Sequence, residues 1–286
     1  VSIGKTGNIT VKLPDGTDLD AKHQVTVIVT DHKKAPQQGK NVAVKGDLGQ
    51  SAAGKTDKNG ELTVPEVEQT ERHGVYIVGY TDGTFGPSRS MTRSEAAAIF
   101  ARLLAEKNGD TISTAANTKF ADIPAHAWYS GYVKYLSNNG ITYGKSKTIF
   151  APNDAITRAE FTTMAVRFFD VYGDGDAEIM EQFSGFNDVS SGYWAAEYIK
   201  YAALHGWING YGDGSFHADR EINRAEVVTI VNRLLGREAD EDYIADNLRK
   251  LNTFPDVTKR HWAYYAVMEA ANAHTAVLGE SESWSK

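Results

Sequence analysis

The sequence predicts a molecule of two parts, a small β-sandwich over residues 1–73 and an all-α repeat domain over residues 74–279, with residues 280–286 as a tail. Two observations predict this division. In the first part, β-branched residues alternate with other residues in short runs, which is typical of strands. In the second part, one pattern of aromatic, aspartate and arginine residues returns at a nearly constant interval, and its arginines are Arg93, Arg158 and Arg224. A fixed period marks a repeat architecture, in which neighbouring units bury each other's apolar faces.

Composition limits the classes of function that the chain can serve. Its 286 residues suffice for about two or three domains with cores of their own. It has no cysteine, which excludes disulfides and thiolate metal sites, and its net charge of −7 argues against a diffuse grip on nucleic acid or on an anionic membrane. No apolar run approaches the roughly 20 residues of a membrane span, and Val1 is expected to be a mature end or a cut terminus.

The first part shows three strand patterns between turn signals, at residues 24–30, 41–44 and 61–64. The last of these follows the turn signal from Asp57 to Gly60, so a hairpin is expected there. Short strands of this kind predict a small sandwich, which we interpret as a spacer rather than a ligand-binding module. The polar stretch from Glu66 to Gly74 is expected to be a linker that proteases can cut.

The second part shows helical periodicity after each Arg-x-Glu triplet, because apolar residues recur there at spacings of three and four. The apolar residues concerned are Ala96, Ile99, Phe100, Leu103 and Leu104; Phe161, Met164, Ala165, Phe168 and Phe169; and Val227, Ile230, Val231, Leu234 and Leu235. The three helix starts match the capping box, with Thr92 and Glu95, Thr157 and Glu160, and Asn223 and Glu226. The tryptophan segments predict second helices, with Gly140 and Gly206 as C-terminal stops and Asp122, Asp188 and Asp256 as braces of the preceding turns.

The number of half-units predicts how the repeats are arranged. The first unit, near residues 74–110, lacks a tryptophan helix, and the last segment, residues 252–279, lacks an Arg-x-Glu helix. Between them lie two units with both halves, near residues 118–172 and 184–238. If the two terminal halves complete one another, the repeats close into a pseudo-threefold ring, whereas an open solenoid would leave two apolar faces uncovered.

Arginine is an unusual residue at a helix start, because its charge opposes the positive end of the helix dipole. Arg93, Arg158 and Arg224 all take this position. A guanidinium beside free helix N–H groups suits a carboxylate or a phosphate. An intramolecular bridge between Arg and Asp explains the same spacing, and both interpretations stay open on the sequence alone.

The loop ahead of each arginine supplies further candidates for binding. Two copies combine an aromatic residue, an aspartate and glycines that suit sugar hydroxyls but also suit tight turns. These residues are Tyr80, Asp82 and Gly83 in the first copy, and Tyr211, Asp213 and Gly214 in the third. The middle copy, residues 144–150, has lost all three. We therefore expect Arg93 and Arg224 to matter more for binding than Arg158.

The tryptophans and a second set of arginines allow structural roles as well as binding roles. Trp128, Trp194 and Trp262 are interpreted as core residues or as groove walls, with the core favoured. Arg102, Arg167 and Arg233 fall near predicted helix C-termini, where a cation is favourable without any ligand.

Taken together, Phe-x-Asp-Val…Trp-Ala, Gly-Tyr-x-Asp-Gly-x-Phe and Ile-Thr-Arg-Ala-Glu resemble the S-layer homology domain, in three copies over about residues 75–275. The resemblance implies repeats arranged around a central helical bundle, with grooves that bind pyruvylated secondary cell-wall polymer, and it implies that Arg93, Arg158 and Arg224 hold the pyruvate carboxylate. It further implies a cell-surface location and a cell-wall polysaccharide or peptidoglycan-linked glycan as partner, without a cofactor, a metal, nucleic acid or membrane insertion. The stretch from Lys55 to Glu61 resembles, more weakly, the hairpin of immunoglobulin-like or collagen-adhesin-B-like surface domains.

Four other interpretations compete with this one. An enzyme is disfavoured because the sequence shows no nucleophile–base pair, no phosphate loop and no His-Glu-x-x-His metal set. The acidic stretch from Asp170 to Glu178 departs from the EF-hand spacing and is interpreted as a solvated loop. A protein-binding helical repeat module and the anchor fragment of a larger surface enzyme remain as alternatives, as does a purely structural spacer.

Overall fold

The computed structural model describes residues 8–12, 25–30, 38, 41–45, 51–55, 57–59, 61–64, 69–172, 183–278 and 283–285. The chain divides into two compact units. One unit contains Val1–Glu71 and Thr275–Ser285, and the other contains Arg72–His274. Part of the predicted sandwich and most of the acidic stretch, from Asp174 to Glu178, lie outside the described residues.

The first unit contains antiparallel strands in the three regions where the alternating pattern predicts them. Val27 of the second strand lies opposite Val11 of the first and Leu62 of the fifth, which gives a sheet in the order β1–β2–β5, and β3 pairs with β4 in a separate sheet. The strands are β1 Asn8–Lys12, β2 Val25–Thr30, β3 Asn41–Lys45, β4 Ser51–Lys55 and β5 Glu61–Val64. The expected hairpin is wrong, because β4 and β5, which flank the turn, pair with β3 and β2 rather than with each other. Stacking of these sheets as an immunoglobulin-like sandwich stays a prediction.

A further sheet involves residues for which the sequence predicts no strands. It has the order β6–β7–β8, formed by Gln69–His73, His274–Leu278 and Ser283–Ser285. Gln69–His73 belongs to the polar stretch that was expected to be a linker, so the linker interpretation is wrong for these five residues. The polar composition of Gln69–His73 gives no strand signal. The strand forms because these residues pair with β7, a segment near the other end of the sequence.

The second unit is helical, and its three long helices begin where the local signals place them, whereas the repeat pattern does not predict the short helix Glu241–Asn247. Each long helix starts at the arginine of the repeated triplet, with the preceding Thr or Asn and the following Glu in a capping box. Gly140 and Gly206 follow α2 and α4 with positive φ of 75° and 69°, which confirms them as helix stops. The helices are α1 Arg93–Asn108, α2 Ser130–Asn138, α3 Arg158–Tyr172, α4 Ala196–Leu204, α5 Arg224–Leu235, α6 Glu241–Asn247 and α7 Tyr264–Ala271.

The long helices pack through buried aromatic side chains, and the segments before them form a ring. Phe100 of α1 contacts Phe161 and Phe168 of α3, with ring centroids 5.3 and 4.9 Å apart. Next to this core, three backbone hydrogen bonds close a triangle: Met91 N donates to Ile222 O, Ile222 N to Ile156 O, and Ile156 N to Met91 O, at 2.9–3.0 Å. Since these bonds link the first repeat to the third, the third to the second and the second to the first, the repeats form a closed ring.

The final half-unit completes the first repeat, as the count of half-units predicts. Phe254 packs on Phe85 at 5.3 Å, and the carboxylate of Asp256 accepts hydrogen bonds from the N–H groups of Phe85 and Gly86 at 2.9 and 2.7 Å. Asp122 and Asp188 brace the corresponding loops of the other repeats in the same way. These loops lie 28 or 29 residues further along the chain, so the aspartates brace distant loops rather than the turns directly before the tryptophan helices, where the sequence predicts their role. Among the helices that the structure describes, none has both the length and the apolar character to cross a membrane.

Candidate functional site: the grooves between repeats

The three repeated arginines are buried, and each guanidinium crosses to another repeat. Arg93, Arg158 and Arg224 are each 4% exposed. Their Nε atoms donate to the carbonyl oxygens of Phe150, Phe216 and Phe85, respectively, at 2.8 Å in every case. The arginine of one repeat therefore lies against the loop of the next repeat around the ring.

The helix N–H groups beside these arginines are not free. At α1, the N–H groups of Arg93 and Ser94 donate to the carbonyls of Asp154 and Pro152 in the next repeat, and the N–H of Glu95 donates to Thr92 Oγ1. The starts of α3 and α5 have the same three kinds of bond. The expectation of free helix N–H groups for a ligand is thus wrong, because closure of the ring uses the first two donors and the capping residue uses the third.

The outer nitrogens of the three guanidiniums have different partners. Arg93 Nη1 lies 3.1 Å from Glu160 Oε1, and Arg158 Nη1 lies 3.2 Å from Glu226 Oε1. Arg224 Nη2 donates to the Val78 carbonyl at 2.6 Å, and no carboxylate of the described residues lies within 4.0 Å of its guanidinium. The expected Arg–Asp bridge is replaced by an Arg–Glu bridge in two repeats and is missing at Arg224.

Burial lowers the pKa of two of these arginines. Desolvation by burial is the main cause that lowers the pKa of Arg158 and of Arg224, although nearby Glu226 and Glu95, respectively, act in the opposite direction. Even a lowered arginine pKa leaves the guanidinium protonated at neutral pH. Arg224 is therefore a buried cation that lacks a carboxylate at contact distance, which favours binding of an anion.

The first groove is built around Arg224 from three repeats. Its cavity has a volume of about 270 Å³, with Glu95 and Arg102 from α1, Tyr80 from the preceding loop and Trp128 from the second repeat on its walls. The guanidinium carbon of Arg224 lies 4.7 Å from the centre of the Tyr80 ring. Two arginines and one glutamate give this groove a net positive charge.

The second groove has the same construction around Arg158. Its cavity of about 260 Å³ is lined by Tyr211, Glu226, Arg233 and Trp262 as well as Arg158. The hydroxyl of Tyr211 donates to Glu226 Oε1 at 2.9 Å, and burial followed by this bond raises the pKa of Tyr211. Glu226 Oε1 thus accepts from Tyr211 and pairs with both Arg158 and Arg220, while the other oxygen caps α5.

The repeated sequence that builds these two grooves matches a known family. The sequence profile of the S-layer homology domain matches residues 63–97, 119–162 and 185–228. The chain contains three S-layer homology domains. The final tryptophan segment lies beyond the matched ranges, yet it supplies Trp262 to the second groove and Asp256 to the loop of the first.

Several relatives are named as cell-surface proteins, and others are named as polysaccharide-degrading enzymes, such as the exoglucanase XynX of Acetivibrio thermocellus. The chain is 34% identical to cell surface glycoprotein 1 of Acetivibrio thermocellus over 218 residues, which are 73% of this chain and 9% of that protein. It is 30% identical to the cellulosome-anchoring protein of the same organism over 233 residues, 81% of this chain and 49% of that protein. It is 32% identical to the surface-layer 125 kDa protein of Lysinibacillus sphaericus over 163 residues, 56% of this chain and 13% of that protein. The chain thus spans half or less of the length of these relatives.

In the remaining S-layer homology position, Arg93 meets the divergent loop of the second repeat. The residue in the place of Tyr80 and Tyr211 is Lys145, which pairs with Asp154 at 3.3 Å. Sequence order suggested that this loop belongs with Arg158, but the contact of Arg93 with Phe150 assigns it to Arg93. The premise behind the expected ranking of Arg93 above Arg158 is therefore wrong, because each arginine lies against the loop of the next repeat.

The tryptophans do not belong to the core. Trp128, Trp194 and Trp262 are 54%, 57% and 65% exposed. Trp128 and Trp262 stand on the walls of the two grooves. The interpretation as core residues is wrong, and the alternative of a groove wall describes these two side chains.

The aspartates and glycines of the loops hold the loops in shape. Asp82 Oδ1 accepts from Thr84 N at 2.9 Å and from Thr84 Oγ1 at 2.6 Å, and Asp213 makes the same pair of bonds with Ser215. The side-chain and backbone hydrogen bonds from Thr84 lower the pKa of Asp82, and those from Ser215 lower the pKa of Asp213. Gly83 and Gly214 have φ of 82° and 81°, a conformation that favours glycine. The two aspartates and the two glycines therefore stabilise the conformation of their loops.

Sequence reasoning missed the functional placement of Arg102 and Arg233. Both line a groove, opposite the buried arginine that comes from another repeat. The signal was present in the spacing, since each lies seven residues after the capping glutamate, and residues seven apart share one face of a helix. The favourable position of a cation near a helix C-terminus accounted for both arginines without a ligand, so their place in the grooves was not predicted.

Proposed function

We propose that these S-layer homology domains anchor the chain non-covalently to a bacterial cell wall by binding a wall polysaccharide at the cell surface. The family match and the anchoring, cell-surface and surface-layer names of the relatives support this role. They also favour a binding role over an enzymatic one for the matched region. The observation that carries the proposal is the buried guanidinium of Arg224, which has no ion pair with a carboxylate of the described residues and lies beneath a groove with an exposed tryptophan.

The chemistry of the grooves indicates an anionic sugar as ligand. Arg224 and Arg102 supply cationic donors, and a charge-assisted hydrogen bond of this kind contributes about 1.5–3 kcal/mol. Trp128 presents an aromatic face beside them, which suits the apolar face of a sugar ring. A cavity of about 270 Å³ is small for a ligand pocket, so we infer that it takes one charged sugar of a longer chain. A pyruvylated residue of secondary cell-wall polymer has this chemistry.

The proposal also orders the three positions. We expect the strongest binding at Arg224, because Glu95, the carboxylate in this groove, does not form an ion pair with that guanidinium. Binding at Arg158 is expected to be weaker, because Glu226 already contacts that guanidinium at 3.2 Å. At Arg93, both the pairing with Glu160 and the loss of the loop tyrosine weaken the site.

Co-sedimentation of the purified chain with isolated cell walls tests this function. We expect the chain to sediment with intact walls and to stay in solution after extraction of the non-peptidoglycan polymer. Removal of ketal pyruvate from the polymer without its extraction is expected to release the chain as well. Binding that survives removal of pyruvate but not extraction contradicts the anionic-sugar ligand, and binding that survives both contradicts polysaccharide anchoring and favours a protein partner.

The chain matches only part of the length of its relatives, which favours the alternative that it is the anchor of a larger surface protein. Since the matched regions make up 9% and 49% of two relatives, a module of this kind is commonly one part of a longer surface protein. The wall-binding role is the same in that case, and the further activity of such a protein resides outside the matched region.

A further inference from the structure

We propose that His73, Glu269 and His274 form a binding site for a divalent transition-metal ion such as Zn²⁺. All three lie in the second unit, His73 near its first residue, Glu269 on α7 and His274 at its end. Their ligand atoms lie within 4.8 Å of one another, and the three residues are 3%, 1% and 6% exposed. The site is separate from the arginines of the grooves, and its argument does not depend on wall binding.

The distances in this cluster match those between ligands of a single ion. His73 Nδ1 lies 3.3 Å from Glu269 Oε1, and His274 Nε2 lies 3.3 Å from Glu269 Oε2. Two ligands about 2.1 Å from a tetrahedral zinc ion lie roughly 3.4 Å apart. Because the two carboxylate oxygens face different imidazoles, a chelating Glu269 and two histidines provide four donor atoms.

The buried carboxylate of Glu269 needs a positive partner. Neither of its oxygens accepts a hydrogen bond from the residues that the structure describes, so the two contacts at 3.3 Å lack hydrogen-bond geometry. Burial of a carboxylate without donors is strongly unfavourable. A cation between Glu269 and the two imidazoles compensates this charge at the observed spacing.

The tautomer of His274 fits a metal ligand. Its Nδ1 lies 3.0 Å from the carbonyl oxygen of Asn272. A carbonyl oxygen only accepts, so Nδ1 carries the proton, and in the neutral ring Nε2 then presents its lone pair toward Glu269. A ligating histidine is commonly oriented in this way by a backbone carbonyl on its other nitrogen.

The donor set selects the class of ion. Two imidazoles with one carboxylate suit zinc and other first-row transition ions, whereas Ca²⁺ and Mg²⁺ prefer sites made of oxygen ligands. The residues come from the two ends of the second unit, so a bound ion ties the start of the repeat ring to its end. We therefore expect a structural ion that stabilises the closed ring.

Metal-dependent melting of the full chain tests this proposal. Tag-free protein is treated with a chelator, dialysed and melted with added ZnCl₂, CaCl₂ or MgCl₂. With zinc at about 100 times its dissociation constant, we expect the melting temperature to rise by roughly 5–10 °C, and we expect no rise with Ca²⁺ or Mg²⁺. A titration with Co²⁺ should give visible absorption bands that zinc abolishes, and this measurement needs no variant.

Two variants then assign the effect to the cluster. Glu269→Gln keeps the side-chain volume and is expected to weaken zinc binding by about tenfold or more. His126→Asn, a change at an exposed histidine outside the cluster, is expected to leave zinc binding unaltered. The proposal is overturned if zinc leaves the melting temperature of the parent unchanged and Co²⁺ gives no bands. It is equally overturned if Glu269→Gln folds and binds zinc like the parent.

Discussion

The groove around Arg224 and the position around Arg93 both contain a buried arginine at a helix start, but the groups around the outer guanidinium nitrogens differ. In both, a guanidinium that is 4% exposed donates through Nε to a phenylalanine carbonyl at 2.8 Å. At Arg93 the outer nitrogen is bound by Glu160, and the loop tyrosine is replaced by Lys145. At Arg224 the outer nitrogens face a carbonyl and the ring of Tyr80.

This difference separates two roles of a single residue. The inner half of each guanidinium helps join neighbouring repeats, which explains its presence in all three. The outer half is available for function only where the neighbouring loop and glutamate allow it. A repeat can therefore keep its arginine for stability after losing a binding site, so the presence of the triplet alone does not identify a functional groove.

Truncation before Phe254 should have the largest effect, because it removes parts of both grooves and spares Arg93. The first groove loses the brace from Asp256, the second loses Trp262, and α7 no longer covers α5. Each buried apolar side chain lost from α7 contributes about 1.5–3 kcal/mol, and together they approach the 5–15 kcal/mol of a typical domain. We expect an aggregated or molten species by size-exclusion chromatography and near-UV circular dichroism. A monomer with an unchanged melting transition contradicts the completion of the first repeat by the final segment.

Alanine substitution of the three arginines tests the comparison directly. Arg224→Ala should weaken binding of a pyruvylated disaccharide by about tenfold or more, Arg158→Ala by less, and Arg93→Ala least. Arg93→Ala is the matched control, since each variant loses the same Nε bond and comparable stability. Calorimetry gives the affinities and thermal melting the stabilities. Lysine at position 224 should rescue binding only in part, because it lacks the planar two-point contact. If all folded variants bind the disaccharide with the affinity of the parent, the arginines are excluded as ligand contacts.

The exposed tryptophans should affect binding without affecting folding. Trp128→Ala should weaken sugar binding by about 0.5–1.5 kcal/mol, whereas Trp194→Ala should have little effect. Both side chains are more than half exposed, so the melting temperatures should stay close to that of the parent. Intrinsic fluorescence titration and differential scanning calorimetry measure the two quantities. A large loss of stability in either variant would mean that the indole contributes to the core after all.

The smallest expected effect is a gain of binding. Glu226→Gln removes the charge that competes for Arg158, while Gln still fits the capping box of α5. The second groove should then bind the disaccharide more tightly by about 0.2–1 kcal/mol, a factor of up to about five. Glu160→Gln is the matched change at Arg93 and should give no such gain because the loop tyrosine is absent there. Weaker binding in Glu226→Gln would indicate that Glu226 itself contacts the sugar, and isothermal calorimetry distinguishes the two outcomes.

Much of the local structure follows from short stretches of sequence. Thr92 with Glu95, and Asn223 with Glu226, fix the starts of α1 and α5, because a capping box involves residues only three apart. Gly140 and Gly206 end α2 and α4 because a left-handed conformation favours glycine. By contrast, the braces by Asp122 and Asp188 did not follow from a short stretch, since each aspartate accepts from backbone N–H groups 28 or 29 residues further along the chain.

The sequence by itself determined the period, the helix boundaries and the completion of the first repeat by the last segment, since all three depend on residue spacing along the chain. Tertiary structure alone decided that Arg93 meets the loop of the second repeat, that the helix N–H groups are occupied, and that the tryptophans face solvent. It also brought His73 to Glu269 and His274 from the other end of the unit. These outcomes depend on contacts between residues far apart in the chain, and such contacts are fixed only when the ring closes and the buried polar groups of each repeat find their partners in the next.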